Sequence, residues 1–315
     1  MSLIGSIRAE VIRQRHSWFT PILLVITLVG VLLFLAYFAV TPYEPWYKVT
    51  GYLQVIGGIL PLVVGLVCGF ISEREFRAGN YAALMGVPSR RLALAGILTY
   101  LELLYALVCA VAVCLFALGM DLLGQNPMGK DSWLLILLGL VLGGAALIPL
   151  TMVVAMAWGR QVGILVGVFG SLMGFLLQTG LGDGIWWLLL PALPSRLPVG
   201  VAALVQAAQT GGTDQTAFAA YNIQQNLGWG MGILLTCASW VLAMIWVSAC
   251  RPVGPAMSGT NEKMDGDLPQ YVTAQRNMAQ REGWMASWSQ VMRSMRIGLA
   301  SRQVRRSARP GAVRR

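Results

Sequence analysis

A chain of 315 residues that is 57% hydrophobic and 11% charged, with a mean hydropathy of +0.66, lies far outside the composition of soluble domains, which carry about 25% charge. It reads as an integral membrane protein of the all-α class. The formal charge of +10 does not point to nucleic acid, because the basic residues alternate with apolar runs along the chain and form no patch with interleaved aromatics.

Residues 1–17 place Leu3, Ile4, Ile7, Val11 and Ile12 on one side of a helix and Arg8, Glu10, Arg13, Gln14 and Arg15 on the other. That pattern predicts an amphipathic helix lying in the inner membrane interface, separate from the domain that follows at 18–250. His16, the only histidine, falls at its end and reads as an interfacial residue. The apolar run 18–40 is long enough for a ~30 Å hydrocarbon core and has no small-residue cleavage site after it, so it is expected to stay as the first span. Tyr43, Trp46 and Tyr47 then supply an aromatic belt on the outer side. The second span is expected at 52–71, bent at Pro61.

Residues 72–92 are the longest charged interruption in the first 250 residues, with Glu73, Arg74, Glu75, Arg77, Arg90 and Arg91. Phe76, Tyr81, Leu84 and Val87 recur at roughly helical spacing, loosened by Gly79 and Gly86 and ended by Pro88, which predicts a short amphipathic piece at the membrane surface. Composition alone leaves it open whether this is a solvated loop or a working surface. The pattern Glu73, Glu75, Gly79, Leu84, Pro88, Ser89 and Arg90 or Arg91, placed between the second and third spans, resembles the coupling region of ABC-2 type transporter permeases. It is most similar to their lantibiotic-protection branch, which clears antimicrobial peptides from the membrane. It departs at Asn80, where many members have Thr, and it lacks the Lys that they carry around residues 96–98.

The resemblance implies a permease subunit that exports or clears an amphiphilic substrate. ATP and Mg would belong to a separate ATPase, and no cofactor would belong to this chain. A second permease, identical or homologous, would complete the pathway. Glu73, Arg74, Glu75 and Arg77 would dock the ATPase, Pro88 would fix the angle into the third span, and Arg90 and Arg91 would complete the coupling surface.

The third span is expected at 92–120. The loop that follows carries G-Q-N-P-M-G-K at 124–130, which matches the start of a nucleotide-binding loop, but Asp131 stands where the metal-binding Ser or Thr is required and no strand precedes it. No ATP hydrolysis is therefore assigned to this chain. The fourth span is expected at 133–157 with Pro149 inside it, and the fifth at 163–181. Gly163, Gly167, Gly170 and Gly174 line one face of the fifth, a pattern for close helix packing against a partner in the same chain or in a second copy. Residues 182–228 hold two short semi-apolar runs, 185–190 and 199–208, split by prolines; they are expected to form two short helices at the outer leaflet, with Trp186 and Trp187 at headgroup level, or else a plain outer loop. The resemblance favours the helices, since its members carry re-entrant helices between their last two spans, and it implies that Trp186 and Trp187 would meet an amphiphilic cargo at the outer leaflet, on a substrate pathway with Glu102. The sixth span is expected at 229–250.

With the N-terminus inside, this topology puts 20 of the 23 Lys and Arg residues on the inner side and only Lys48, Lys130 and Arg196 outside. That satisfies the positive-inside rule and places both termini in the cytoplasm of a multi-pass plasma-membrane protein. The tail 251–315 carries Trp284, Trp288, Val291, Met292, Met295 and Leu299 at helical spacing among Arg281, Arg293 and Arg296, which predicts an amphipathic helix on anionic lipid or a partner protein, ahead of a basic end at 302–315.

The five cysteines, Cys68, Cys109, Cys114, Cys237 and Cys250, fall in or at the ends of apolar runs without metal-ligand spacing, and no nucleophile and base occur together. The one ionisable residue well inside a span is Glu102, roughly 16 Å beyond Arg91 at ~1.5 Å per residue. An intramembrane carboxylate is a candidate for a cationic substrate or a proton, or it is tolerated on a hydrogen bond from Thr99, Tyr100 or Tyr105. An ion-coupled secondary transporter would want several such groups and an inverted repeat; a non-transporting scaffold would need only the tail.

Overall fold

A computed structural model describes residues 3–15, 19–78, 81, 84, 89–210 and 215–249. Among these residues the only regular elements are helices: α1 (Leu3–Arg15), α2 (Phe19–Val40), α3 (Pro45–Arg77), α4 (Arg90–Leu122), α5 (Lys130–Ala145), α6 (Leu147–Trp158), α7 (Arg160–Leu176), α8 (Leu193–Thr210) and α9 (Gln215–Ala249). Three short 3₁₀ turns, Gly180–Gly182, Trp186–Leu188 and Leu190–Ala192, join α7 to α8. Five stretches are long and apolar enough to cross a bilayer: α2, α3, α4, the α5–α6 pair and Phe218–Ala249 of α9. The 17 residues of α7 reach about 26 Å at ~1.5 Å per residue, short of the ~30 Å hydrocarbon thickness.

The centre of the packing is α3, which is covered by α6, α7 and α8; α2 and α1 lie against α4, and α5 packs on α8. Close approach to α3 depends on glycine. A Cβ on Gly167 would sit 2.7 Å from the Cα of Gly65 and 2.8 Å from the Pro61 carbonyl, so the two backbones touch where these residues face each other. Pro61 itself stays within α3, and the disturbed turn borrows a side chain from α7: the Leu62 N–H donates to Ser171 Oγ at 2.9 Å, and Ser171 Oγ donates to the Ile59 carbonyl at 3.4 Å. On its opposite side, Tyr52 of α3 stacks on Phe116 of α4 at a 3.6 Å centroid separation and donates its hydroxyl to the Ala112 carbonyl.

Several boundaries differ from the predicted ones for identifiable reasons. The second span starts at Pro45, whose fixed φ and missing N–H suit the first turn, with Glu44 extended before it. It also continues through residues 72–77, because nothing in that sequence breaks a helix and Glu73 and Arg77 form an i,i+4 ion pair. The charged residues expected to begin a separate surface piece are thus the last turns of the span itself. The fourth span is divided at Ala146: Pro149 has no N–H to offer the Ala145 carbonyl, and α6 restarts at Leu147. Gly159, at φ +96°, ends α6 and turns the chain straight into α7.

Between α7 and α9 the expected pair of short helices is replaced by the 3₁₀ turns and one 18-residue helix. Pro194 lies in the first turn of α8, where a missing N–H costs least, and Pro198 is carried inside the helix, so the two prolines do not forbid it. Its first half is buried between α3 and α5, the backbone of Pro194 resting against Gly57 on one side and Gly143 on the other. Residues 215–228, expected in a loop, form the first turns of α9. The tail assigned to 251–315, with its helix and basic end, and the turn at Gly79, Asn80, Gly86 and Val87 lie outside the described residues, as do Pro88, His16 and Cys250.

Candidate functional site

The helix α1 is amphipathic, but it presents the opposite face to the protein from the one an isolated helix at a water surface would use. Ser6, Glu10 and Gln14 are buried, whereas Ile4, Val11 and Ile12 point outward and are 78%, 46% and 57% exposed. The buried residues recur at i, i+4 and i+8, which makes one polar ridge along the helix. Ser6 rests against Gly96 of α4, and the far end of the ridge meets the last turns of α3.

There Arg13 joins two buried carboxylates. Its Nη1 lies 2.5 Å from Glu75 Oε1 and its Nη2 lies 2.5 Å from Glu10 Oε2. Gln14 Nε2 donates to the other oxygen of Glu10 at 2.8 Å, and Gln14 Oε1 accepts in turn from Arg74 Nη1 at 2.8 Å. The chain Arg74, Gln14, Glu10, Arg13, Glu75 therefore closes a hydrogen-bonded loop from α3 to α1 and back. Burial works against the charge on the Arg13 guanidinium, but the hydrogen bonds and charges of Glu10 and Glu75 outweigh it and raise its pKa above the ordinary arginine value.

A second tie forms where the chain leaves α3. Tyr81 takes a left-handed φ of 63°, a conformation costly for an aromatic residue, and its ring turns back under the helix to lie 5.8 Å from Phe76. Its buried hydroxyl pairs with Ser72 Oγ at 3.0 Å and reaches the Met156 carbonyl at 3.3 Å, while Ser72 Oγ donates to the Ala155 carbonyl at 2.8 Å. These two carbonyls are among the last of α6; that of Ala155 also accepts the Gly159 N–H at 2.8 Å. The end of α3 is thus fixed to α1 on one side and to α6 on the other.

The residues assigned to coupling separate into two groups. Glu75 is 3% exposed and faces α1, so it supports the surface from within and is not itself available to a docking protein. Glu73 and Arg77 form their ion pair on the outside, Arg77 with 72% of its side chain exposed, and Arg74 lies at the border. Arg90 opens α4 and Arg91 is exposed, its Nε donating to Ser248 Oγ of α9 at 2.7 Å. Glu10, Arg13, Gln14, Ser72 and Tyr81 had no functional place in the sequence reading; the spacing of Ser6, Glu10 and Gln14 was the signal that could have revealed the ridge.

The substrate-pathway candidates do not come together. Glu102 is half-buried and accepts from Trp240 Nε1 of α9 at 2.6 Å; Tyr100 pairs with Thr20 and Tyr105 donates to the Leu140 carbonyl. Trp186 is buried among Leu177, Ala192, Leu193 and Leu197 and donates to Gln224, which lies about 24 Å along α9 from Trp240 at ~1.5 Å per residue. Trp187, half-buried, donates to the Gly184 carbonyl. Gly163, Gly167, Gly170 and Gly174 all face inward within this chain: Gly163 lies against Ala155, Gly167 against Gly65, Gly170 against Pro61 and Gly174 against Pro191. Beside them Arg196 gathers the ends of the outer turns, donating to the carbonyls of Leu177 and Thr179 and to Asp183 Oδ1 at 2.7–2.9 Å.

The family comparison covers more than half of this bundle of apolar helices. The family described as ABC-2 family transporter protein matches residues 6–174, from within α1 to the end of α7. The chain belongs to this family. No curated protein and no solved structure matches it. As an ABC-2 family member with several apolar helices, it is a multi-pass membrane protein and a permease component of ABC transport, and family membership implies an ABC ATPase as its working partner.

Proposed function

We propose that this chain is the permease subunit of an ABC exporter that removes an amphiphilic substrate, of the antimicrobial-peptide class handled by the lantibiotic-protection branch, using ATP hydrolysed on a separate subunit. The observation that carries the reading is the tip of α3. Glu73, Arg74 and Arg77 form its outer surface, and Glu75, Arg13 and Glu10 lock it to α1 behind. A push on that surface by a closing ATPase pair moves α3 as a rigid rod, and α3 carries α6, α7 and α8 with it.

In this reading α7 is the fifth of six spans, the α1 side faces the cytoplasm, and two permeases pair to enclose a pathway. Arg90 and Arg91 extend the docking surface onto α4. The apolar face of α1, with Ile4, Val11 and Ile12, rests in the inner leaflet. The test is purification of the tagged chain from its native membrane. An ABC ATPase is expected to accompany it, and reconstitution of the pair in liposomes is expected to give peptide-stimulated ATP turnover. In the same liposomes Glu73→Lys with Arg77→Glu should keep the complex's ATP turnover and lose transport, because only the outer surface is altered. Transport driven by an ion gradient in the absence of any ATPase would refute the reading. So would labelling of Arg77→Cys by an impermeant maleimide from the outer side.

A further inference from the structure

The helix α9 runs antiparallel to α4, and two polar ties connect them: Arg91 to Ser248 near one end and Trp240 to Glu102 deep in the bundle. The deeper tie is chemically incomplete. An ionised carboxylate offers about four acceptor positions, and among the described residues Glu102 receives one donor, Trp240 Nε1 at 2.6 Å on Oε1. None of the ion pairs found among the described residues includes it. Every other buried or half-buried carboxylate on the α1 side of the bundle has an arginine: Glu10 and Glu75 share Arg13, and Glu73 has Arg77.

Glu102 is also not sealed in the protein. It is half-buried, and the turns that carry the contact also carry apolar residues facing the surroundings: Leu103 on α4 and Val241 on α9 are each 57% exposed. At this depth the surroundings are hydrocarbon. A carboxylate that opens onto lipid from an apolar seam, with an indole ring beside it and no cation supplied by the described chain, is a binding site for a cation that arrives with a hydrocarbon chain.

We propose that the α4/α9 seam is a lateral binding site for a cationic amphiphile. Its ammonium or guanidinium group pairs with the free side of the Glu102 carboxylate next to the Trp240 indole, and its apolar part lies on the exposed apolar surface that begins at Leu103 and Val241. That the bound amphiphile is the exported cargo rests on the permease reading above; the binding itself does not. A cationic head group gains from both the carboxylate and the ring face in a medium of low dielectric, whereas an anionic head group of the same chain length meets like charge.

The probe is radiolabelled dodecyltrimethylammonium, with dodecyl sulfate as the anionic match, bound to the full-length chain in phosphatidylcholine nanodiscs without any ATPase. Glu102→Gln keeps the acceptor for Trp240 and the side-chain volume, so it preserves the seam. It is expected to weaken dodecyltrimethylammonium about tenfold or more, as the loss of one charge-assisted contact does, and to leave dodecyl sulfate unchanged. Glu102→Asp is expected to retain cation selectivity, and Trp240→Phe, which keeps a ring but loses the N–H, to weaken cation binding by less than Glu102→Gln. Equal cation binding by wild type and Glu102→Gln overturns the proposal. So does binding of both probes alike. Because the assay contains no ATPase, loss of the ATPase partnership would defeat the permease reading while leaving these binding results as they stand.

Discussion

Arg13 is the residue whose removal tests the structure most directly. Its guanidinium is the shared partner of Glu10 and Glu75, whose side chains are 7% and 2% exposed, while Arg13 itself is 34% exposed and its buried Nε finds no acceptor among the described residues. Arg13→Ala leaves two carboxylates in a site that water barely enters. Removing one member of a buried ion pair costs about 3–5 kcal/mol, and the partial exposure of Arg13 places the expected loss at the lower end, about 3 kcal/mol. Arg77→Ala is the internal control: its side chain is 72% exposed, and solvent-exposed pairs of this kind contribute about 0.2–1 kcal/mol. Unfolding of the purified chain in mixed micelles, titrated with sodium dodecyl sulfate, measures both. Glu75→Gln combined with Arg13→Ala should recover part of the single-variant loss, since one uncompensated charge is gone. If Arg13→Ala is no worse than Arg77→Ala, the loop of hydrogen bonds between α1 and α3 does not hold these helices together, and the rigid-rod account of coupling fails with it.

Three further outcomes are expected. Gly167→Leu drives a side chain into the Gly65 backbone and should destabilise the bundle by about 3 kcal/mol or prevent assembly, whereas the same change at Gly230, whose Cβ position is open, should be near neutral; equal thermal stability of the two variants would contradict the α3–α7 contact. Tyr81→Phe removes the hydroxyl that pairs with Ser72 and the Met156 carbonyl and should cost about 1 kcal/mol in the same denaturant titration; a wild-type midpoint would show that this tie carries no energy. Arg196→Gln leaves the Leu177 and Thr179 carbonyls without their charged donor and should speed proteolysis between α7 and α8 severalfold. An unchanged cleavage rate would mean that the outer turns hold without it.

Among the features of the fold, those set by composition along the chain were legible in the sequence, and those set by which surfaces meet were not. A long run of apolar residues must cover its backbone polar groups by helix formation wherever it sits in hydrocarbon, so α2, α3 and α4 were readable within several residues of their ends, whereas α9 was readable as a span but begins 14 residues earlier than its apolar run. The glycine face of α7 was readable for the same reason, because small residues at helical spacing have few other uses. Boundaries failed where a residue's effect depends on its place: Pro149 broke a helix from inside, while Pro194 sat in the first turn of α8 and Pro198 was carried inside that helix.

The amphipathic sequence of α1 established that one face was polar and one apolar, but not which would meet the protein. Only the tertiary structure decided that, because the polar face of α1 is stabilised by complementary charges supplied from α3, more than 50 residues away in the sequence. Once Arg13 and Glu75 are brought together, the hydrocarbon around the bundle becomes the natural place for Ile4, Val11 and Ile12. Periodicity can divide a helix into two faces; the choice of neighbour for each face is a property of the packed chain.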